Sequence, residues 1–124
     1  MSNLIWPIQG SPIPKERPRV NTKTGHVYTP KKTKTWENII RQQLVSPPNY
    51  QGNVEMFLHF HISKKRFKKV DLDNLVKSAL DACNGFLYKD DSQVVRIDAI
   101  KTIAENNEML IIGVSEITIT EVEP

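Results

Sequence analysis

Two acidic clusters flank one short apolar stretch of this chain: Asp71 and Asp73 before it, Asp90 and Asp91 after it. Carboxylates suit a hard divalent cation such as Mg²⁺, which takes oxygen ligands and keeps places for water and phosphate oxygens. Directly upstream, Lys64, Lys65, Arg66, Lys68 and Lys69 surround Phe67, five cations in six positions. A carboxylate-held metal beside a phosphate-attracting surface is what metal-assisted phosphodiester hydrolysis requires, because the ion activates water and offsets charge growing on the phosphate. Lys77 follows Asp73 by four residues on one helical face. It either forms an i,i+4 ion pair or directs its charge at the scissile phosphate.

These side chains can act together only if the backbone allows it. Two positions apart in one helix, Asp71 and Asp73 would diverge by about 200°. An extended Asp71, as N-cap or last strand residue, would let the two carboxylates meet. Val70 continues a strand-like run and the helical stripe begins only at Leu72, which favours that geometry. The plainer reading is a helix with acid in its first turn, favoured by the macrodipole alone. The stripe Leu72, Leu75, Val76, Ala79, Leu80 and Cys83 predicts a helix that stops at Asn84-Gly85.

Upstream, Val54, Met56, Leu58, Phe60 and Ile62 alternate with polar or aromatic residues and predict a strand. Trp36, Ile39, Ile40 and Leu44 predict a helix over Pro30 to Leu44, with Thr29 as N-cap and Pro30 at the first helical position. Lys31, Lys32 and Lys34 crowd its first turn, where the macrodipole disfavours cations unless an anion binds. Leu4 to Ile8 reads as a first strand, with Pro7 tolerable only at an edge or bulge. Residues 10–28 form a basic, partly mobile arm containing Arg17 and Arg19, with hairpin chemistry at Asn21 to Gly25. Two strands, Val94–Ile103 and Met109–Thr120, close the chain and read as an antiparallel pair joined by Glu105-Asn106-Asn107. The order β, arm, α, β, α, β, β predicts an α+β fold: a mostly antiparallel or mixed sheet with two principal helices.

At 124 residues the chain fits one domain, 1–124. Residues 1–69 carry 13 Lys and Arg against 3 Asp and Glu, whereas residues 70–124 carry 4 against 11. Such a split points to a polyanionic partner on one side. A single cysteine, Cys83, excludes an intrachain disulfide and a multi-thiolate zinc site. No apolar run approaches a membrane span, and the start lacks a signal peptide pattern, so the expected setting is the cytoplasm, away from membranes.

Val70-Asp71-Leu72-Asp73-Asn74-Leu75-Val76-Lys77, then Asp81-Ala82, Gly85 and Tyr88-Lys89-Asp90-Asp91-Ser92-Gln93-Val94, resembles the RusA family of Holliday junction resolvases. A D-x-D alone says little, but the whole string at this spacing is highly specific. Arg17-Pro18-Arg19 and Gly25 to Pro30 extend the likeness over most of the chain. The resemblance implies a Mg²⁺-dependent homodimeric endonuclease that nicks four-way junction DNA symmetrically. It implies Asp71, Asp73 and Asp91 as catalytic and metal-binding carboxylates, Asp90 as a neighbouring metal ligand and Lys77 as a functional lysine. Where the family's best-known form has a basic residue before the first aspartate, this chain has Val70, and Lys69 is the nearest cation. A two-fold dimer suits a junction of approximate two-fold symmetry. Arg17, Arg19, Lys31, Lys32, Lys64, Lys65, Arg66, Lys68 and Lys69 are the candidate phosphate contacts, whose affinity should fall with salt.

Two other functions remain open on sequence grounds: a structure-selective nuclease for other branched nucleic acids, and a non-catalytic junction-binding module whose aspartates only cap helices. Among the remaining residues, His59 and His61 are strand histidines or a zinc pair, and His26 belongs to the arm. Phe67 is either a wedge for the junction centre or a residue folded back onto the core. Cys83 reads as core, and Asp81 as a surface or capping partner. An EF-hand is excluded, since Leu75 stands at the third ligand position.

Overall fold

The structure is a computed structural model that describes residues 3–28 and 30–120. Its organising strand is β4 (Val54–Ile62), where Val54, Met56, Leu58, Phe60 and Ile62 are buried on one face. Glu55, Phe57, His59 and His61 point to the other face and are half-buried, the period-two pattern of a strand lying inside a sheet. Antiparallel to β4 runs β6 (Met109–Glu116), itself paired with β1 (Leu4–Gln9) at one edge. On the other flank β5 (Val94–Ile103) runs parallel to β4 and forms the second edge, giving the order β1-β6-β4-β5. Pro7 sits in β1, an edge strand, where its missing N–H interrupts no ladder.

Two helices cover one face of this mixed sheet. Helix α1 (Lys31–Gln43) buries Trp36 and Ile40, and α2 (Leu72–Cys83) buries Leu75, Ala79 and Cys83 against the apolar side of β4 and β6. The α+β architecture with two principal helices is therefore as the sequence predicts. Near the start, Gly10 has φ +134°, and a Cβ there would stand 3.1 Å from the Trp36 ring, so both backbone and space require glycine. A separate two-stranded ribbon, β2 (Arg19–Val20) with β3 (Val27–Tyr28), projects from the basic arm. No helix among the described residues is long and apolar enough to cross a membrane.

The expected pairing of the last two strands is incorrect in one respect. β5 and β6 do run in opposite directions, but β4 lies between them. Strand β4, helix α2 and β5 form a parallel crossover that carries β5 to the outer flank of β4. Residues 104–108 then step across the end of β4, where the Ala104 amide donates to the Ile62 carbonyl at 2.8 Å. The Ser63 amide donates to Glu108 Oε2 at 2.7 Å and closes the same step. Two boundaries also shift. Helix α1 begins at Lys31 with Pro30 extended before it, and β6 ends at Glu116 rather than Thr120. The expected Thr29 cap lies outside the described residues.

Candidate active site

Asp71 is extended, with φ −83° and ψ 134°, and occupies the N-cap position of α2 without any side-chain capping bond. Its carbonyl accepts the first helical hydrogen bond from the Leu75 amide at 3.0 Å, so the backbone alone starts the helix. Asp73 lies in the first turn, exposed, and its Oδ1 accepts only the neighbouring Asn74 amide at 2.9 Å. Both carboxylates are thus presented to solvent at one corner. Lys101 of β5 fixes that corner from below: its ammonium donates to the carbonyls of Phe67 at 2.7 Å and Val70 at 2.8 Å. Lys77 is exposed one turn along α2 and makes no ion pair with Asp73.

The other end of α2 is built differently. Asp81 pairs with Lys15 at 3.0 Å, and Lys15 also holds the buried Glu37 of α1 at 3.0 Å. Burial pulls the Lys15 ammonium down, but hydrogen bonds to Asp81 and Glu37 outweigh it and leave its pKa above the usual value. Asp90 accepts the Ser92 amide at 3.0 Å and the Ser92 hydroxyl at 2.6 Å, which holds its carboxyl below the usual range. It caps a single 3-10 turn, Asp91–Gln93, that leads into β5. Gln93 completes the capping box, and its amide nitrogen reaches the Tyr50 and Gly52 carbonyls at 2.7 and 2.8 Å. Asp91 faces Asp81, Tyr88 and Asn84. Partial burial, then the Asp81 charge, pushes its carboxyl above the usual range, and hydrogen bonding from Tyr88 and Asn84 offsets this only in part.

One chain does not bring Asp91 to the Asp71/Asp73 corner. From Asp71 to Asp81 the helix rises about 15 Å, and from Val94 to Lys101 the strand rises about 23 Å. The two corners are opposite ends of the β4-α2-β5 unit. Among the described residues no group of three or more His, Cys, Asp or Glu side chains is placed to hold a metal ion.

Most candidate DNA contacts are exposed: Arg17, Arg19, Lys31, Lys32, Lys64, Lys65, Lys68 and Lys69. Arg19, Lys31 and Lys32 line a cleft of about 260 Å³ together with Glu16, Tyr28 and Pro30. The cations at the start of α1 thus face the ribbon of the arm. Arg66 differs from its neighbours, because its guanidinium pairs with Glu108 at 2.7 Å and donates to the Pro12 carbonyl at 2.8 Å. The arm is therefore pinned at its root. The Lys15 amide also donates to the Asn74 carbonyl at 2.8 Å, and the Ser78 hydroxyl to the Ile13 carbonyl at 2.6 Å.

Phe67 folds back against the core, with the Lys101 ammonium 4.5 Å from its ring centroid. His59 and His61 stack with centroids 4.0 Å apart, and His59 Nε2 lies 2.8 Å from Thr102 Oγ1. Cys83 is fully buried and burial pushes its thiol up to about 12, as befits a core residue.

Sequence reasoning missed Lys101, Lys15 with Glu37, and the turn-building role of Gln93. Only Gln93 carried a local signal, the Asp-x-x-Gln spacing of a capping box. The other two act through contacts distant in sequence.

The fold is a mixed-sheet α+β domain in which one helix start presents two exposed carboxylates after a lysine-rich loop. The sequence matches the family described as endodeoxyribonuclease RusA over residues 9–114, and the chain belongs to that family. It is 29% identical over 129 residues to the uncharacterized protein YqaN of Bacillus subtilis (strain 168), an alignment covering 85% of this chain and 91% of that protein. Family membership points to nuclease activity on branched DNA.

Proposed function

We propose that this protein is a Mg²⁺-dependent endonuclease that resolves four-way DNA junctions by symmetric paired nicks and works as a homodimer. The observation that carries the reading is the extended Asp71, which makes no cap and stands two residues from the exposed Asp73, just after the run Lys64 to Lys69. A binding module whose aspartates serve only to cap helices would use Asp71 as a cap, and it does not.

The donor chemistry fits a hard cation: all-oxygen, anionic and open to water. Asp71 and Asp73 would hold Mg²⁺ from one side. Asp91, raised by partial burial and by Asp81, gains from a neighbouring positive charge. When bound, the ion supplies an activated water and offsets charge on the phosphate. Lys77 adds a cation toward the leaving oxygen, and the exposed lysines hold the strands in register without reading sequence. Asp90, already engaged by Ser92, keeps the Asp91 turn in shape.

Because Asp91 and the Asp71/Asp73 corner are opposite ends of one unit, a three-carboxylate centre needs two chains. Each chain would lend its Asp91 to the other's corner. Mixing Asp71→Asn with Asp91→Asn protein tests this on a synthetic four-way junction in Mg²⁺ or EDTA. Each variant alone should lose at least about 100-fold in cleavage, more than loss of an outer-sphere partner of a metal. The mixture should recover roughly a quarter of wild-type centres, delivered as single nicks, since half the dimers are mixed and each holds one intact centre. Silent mixtures would refute the shared centre, and an Asp71→Asn protein that cuts at wild-type rate would refute the mechanism.

A further inference from the structure

We propose that β5 is the contact between the two copies, pairing antiparallel with its symmetry mate across a two-fold axis at Ile97 to make one continuous eight-stranded sheet. The inference rests on the nuclease reading only for its consequence at the acidic corner; the surface itself is argued from the strand.

The two edges of the sheet are unlike. β1 carries Pro7, which blunts an edge, whereas β5 offers ten residues without proline or glycine. Ile97 and Ile103 are register partners of the buried Met56 and Ile62, so they lie on the helix-covered face. Yet Val95, Ile97 and Ile103 are 44%, 46% and 51% exposed. The helical layer ends before the sheet does, and apolar side chains on the core side of the last strand stand uncovered. A second copy's β5 and the layer behind it would cover them.

Charge then selects the register. A two-fold axis normal to the sheet keeps the helices of both copies on one side and pairs residues of the same face. Centring on Ile97 sets Arg96 opposite Asp98 of the partner subunit, twice by symmetry. Centring on Asp98 or Arg96 sets like charges against each other, which directly opposed strand positions disfavour. Arg96 already pairs with Glu55 of β4 at 3.7 Å, but it is 62% exposed, so its guanidinium would bridge Glu55 and the partner's Asp98.

The same register places the partner's Val94 opposite Ile100, so the turn carrying the partner's Asp91 reaches the level of Lys101 and Ile103. Lys101 is the residue that holds the Val70 carbonyl, one position before Asp71. Antiparallel pairing therefore carries each Asp91 to the far end of the neighbouring unit, on the face where α2 begins.

Charge reversal tests the surface. Arg96→Asp and Asp98→Arg singly should weaken the dimer at least about tenfold in sedimentation and reduce junction nicking in parallel. The double reversal should restore both, and Ile97→Cys should form an interchain disulfide on oxidation. Single reversals that stay dimeric with no Ile97→Cys cross-link overturn this surface, while junction cleavage by the same proteins would leave the nuclease reading standing. Dimers that respond as stated but cut no branched DNA at any Mg²⁺ concentration would support the surface and remove the nuclease reading.

Discussion

The two ends of α2 carry aspartates of similar number and opposite use. At its start, main-chain groups do the structural work: the Asp71 carbonyl opens the helix, and Lys101 grips the carbonyls of Phe67 and Val70. The Asp71 side chain takes no cap bond and the Asp73 carboxylate accepts only its neighbour's amide, so both are left for something else. At its end, side chains do that work. Asp81 clasps Lys15, and Asp90 shapes the 3-10 turn. Asp91 differs from them: it is exposed but faces Asp81, and desolvation together with the Asp81 charge holds its carboxyl above the usual range. Carboxylates held in place by backbone can serve an ion without loss of architecture, whereas those that build architecture cannot be altered without loss of fold.

That contrast is most sharply broken by exchanging functions between the ends. Asp73→Asn should abolish cleavage, by at least about 100-fold, and leave the thermal midpoint within roughly 2 °C of wild type, as for a surface change. A large stability loss in this variant would show that the start of α2 is structural after all. Calorimetry and junction cleavage on one preparation give both readings.

Lys15→Met should do the reverse. It leaves the buried Glu37 with only Arg41, 4.0 Å away, and the half-buried Asp81 without its cation, which should destabilise the fold by about 2–3 kcal/mol, below the range for a fully dry pair. The root of the arm, held by the Lys15 amide and Ser78, should loosen with it. Urea unfolding measures the change, and an unchanged midpoint would mean that Lys15 bridges nothing of consequence. Cleavage per folded molecule should fall far less than in Asp73→Asn.

Much of this contrast was open to sequence reasoning, and the limit has a physical cause. The extended Asp71 followed from local pattern, since Val70 continues a strand-like run and the stripe of α2 begins at Leu72. The buried faces of α1, α2 and β4 followed from periodicity alone. Register between distant strands did not, because five residues after β5 can reach an adjacent strand or step over one, and the crossover through α2 decided which. The clasp of Lys15, Glu37 and Asp81 joins residues separated by 22 or more positions, each of which looks like ordinary surface charge in its own window. Asp91 was legible as an acidic residue but not as the occupant of the opposite corner, for the same reason.

Asp91 offers the smallest and most discriminating measurement. Its carboxyl is pushed above the ordinary 3.8, first by burial and then by Asp81. Between the unfolded and folded pKa values the native chain therefore holds more protons, so stability falls as pH rises through that window. Above the folded pKa the full penalty persists. Asp91→Asn removes it and should stabilise the protein at neutral pH, by only a few tenths of a kcal/mol because solvent screens the exposed part of the group. Well below the ordinary 3.8, where the carboxyl is protonated in both states, the two proteins should converge. A variant that gains stability while losing cleavage marks Asp91 as a charge kept for a ligand. A variant that loses stability at neutral pH would place Asp91 with Asp81 and Asp90 among the builders of the fold.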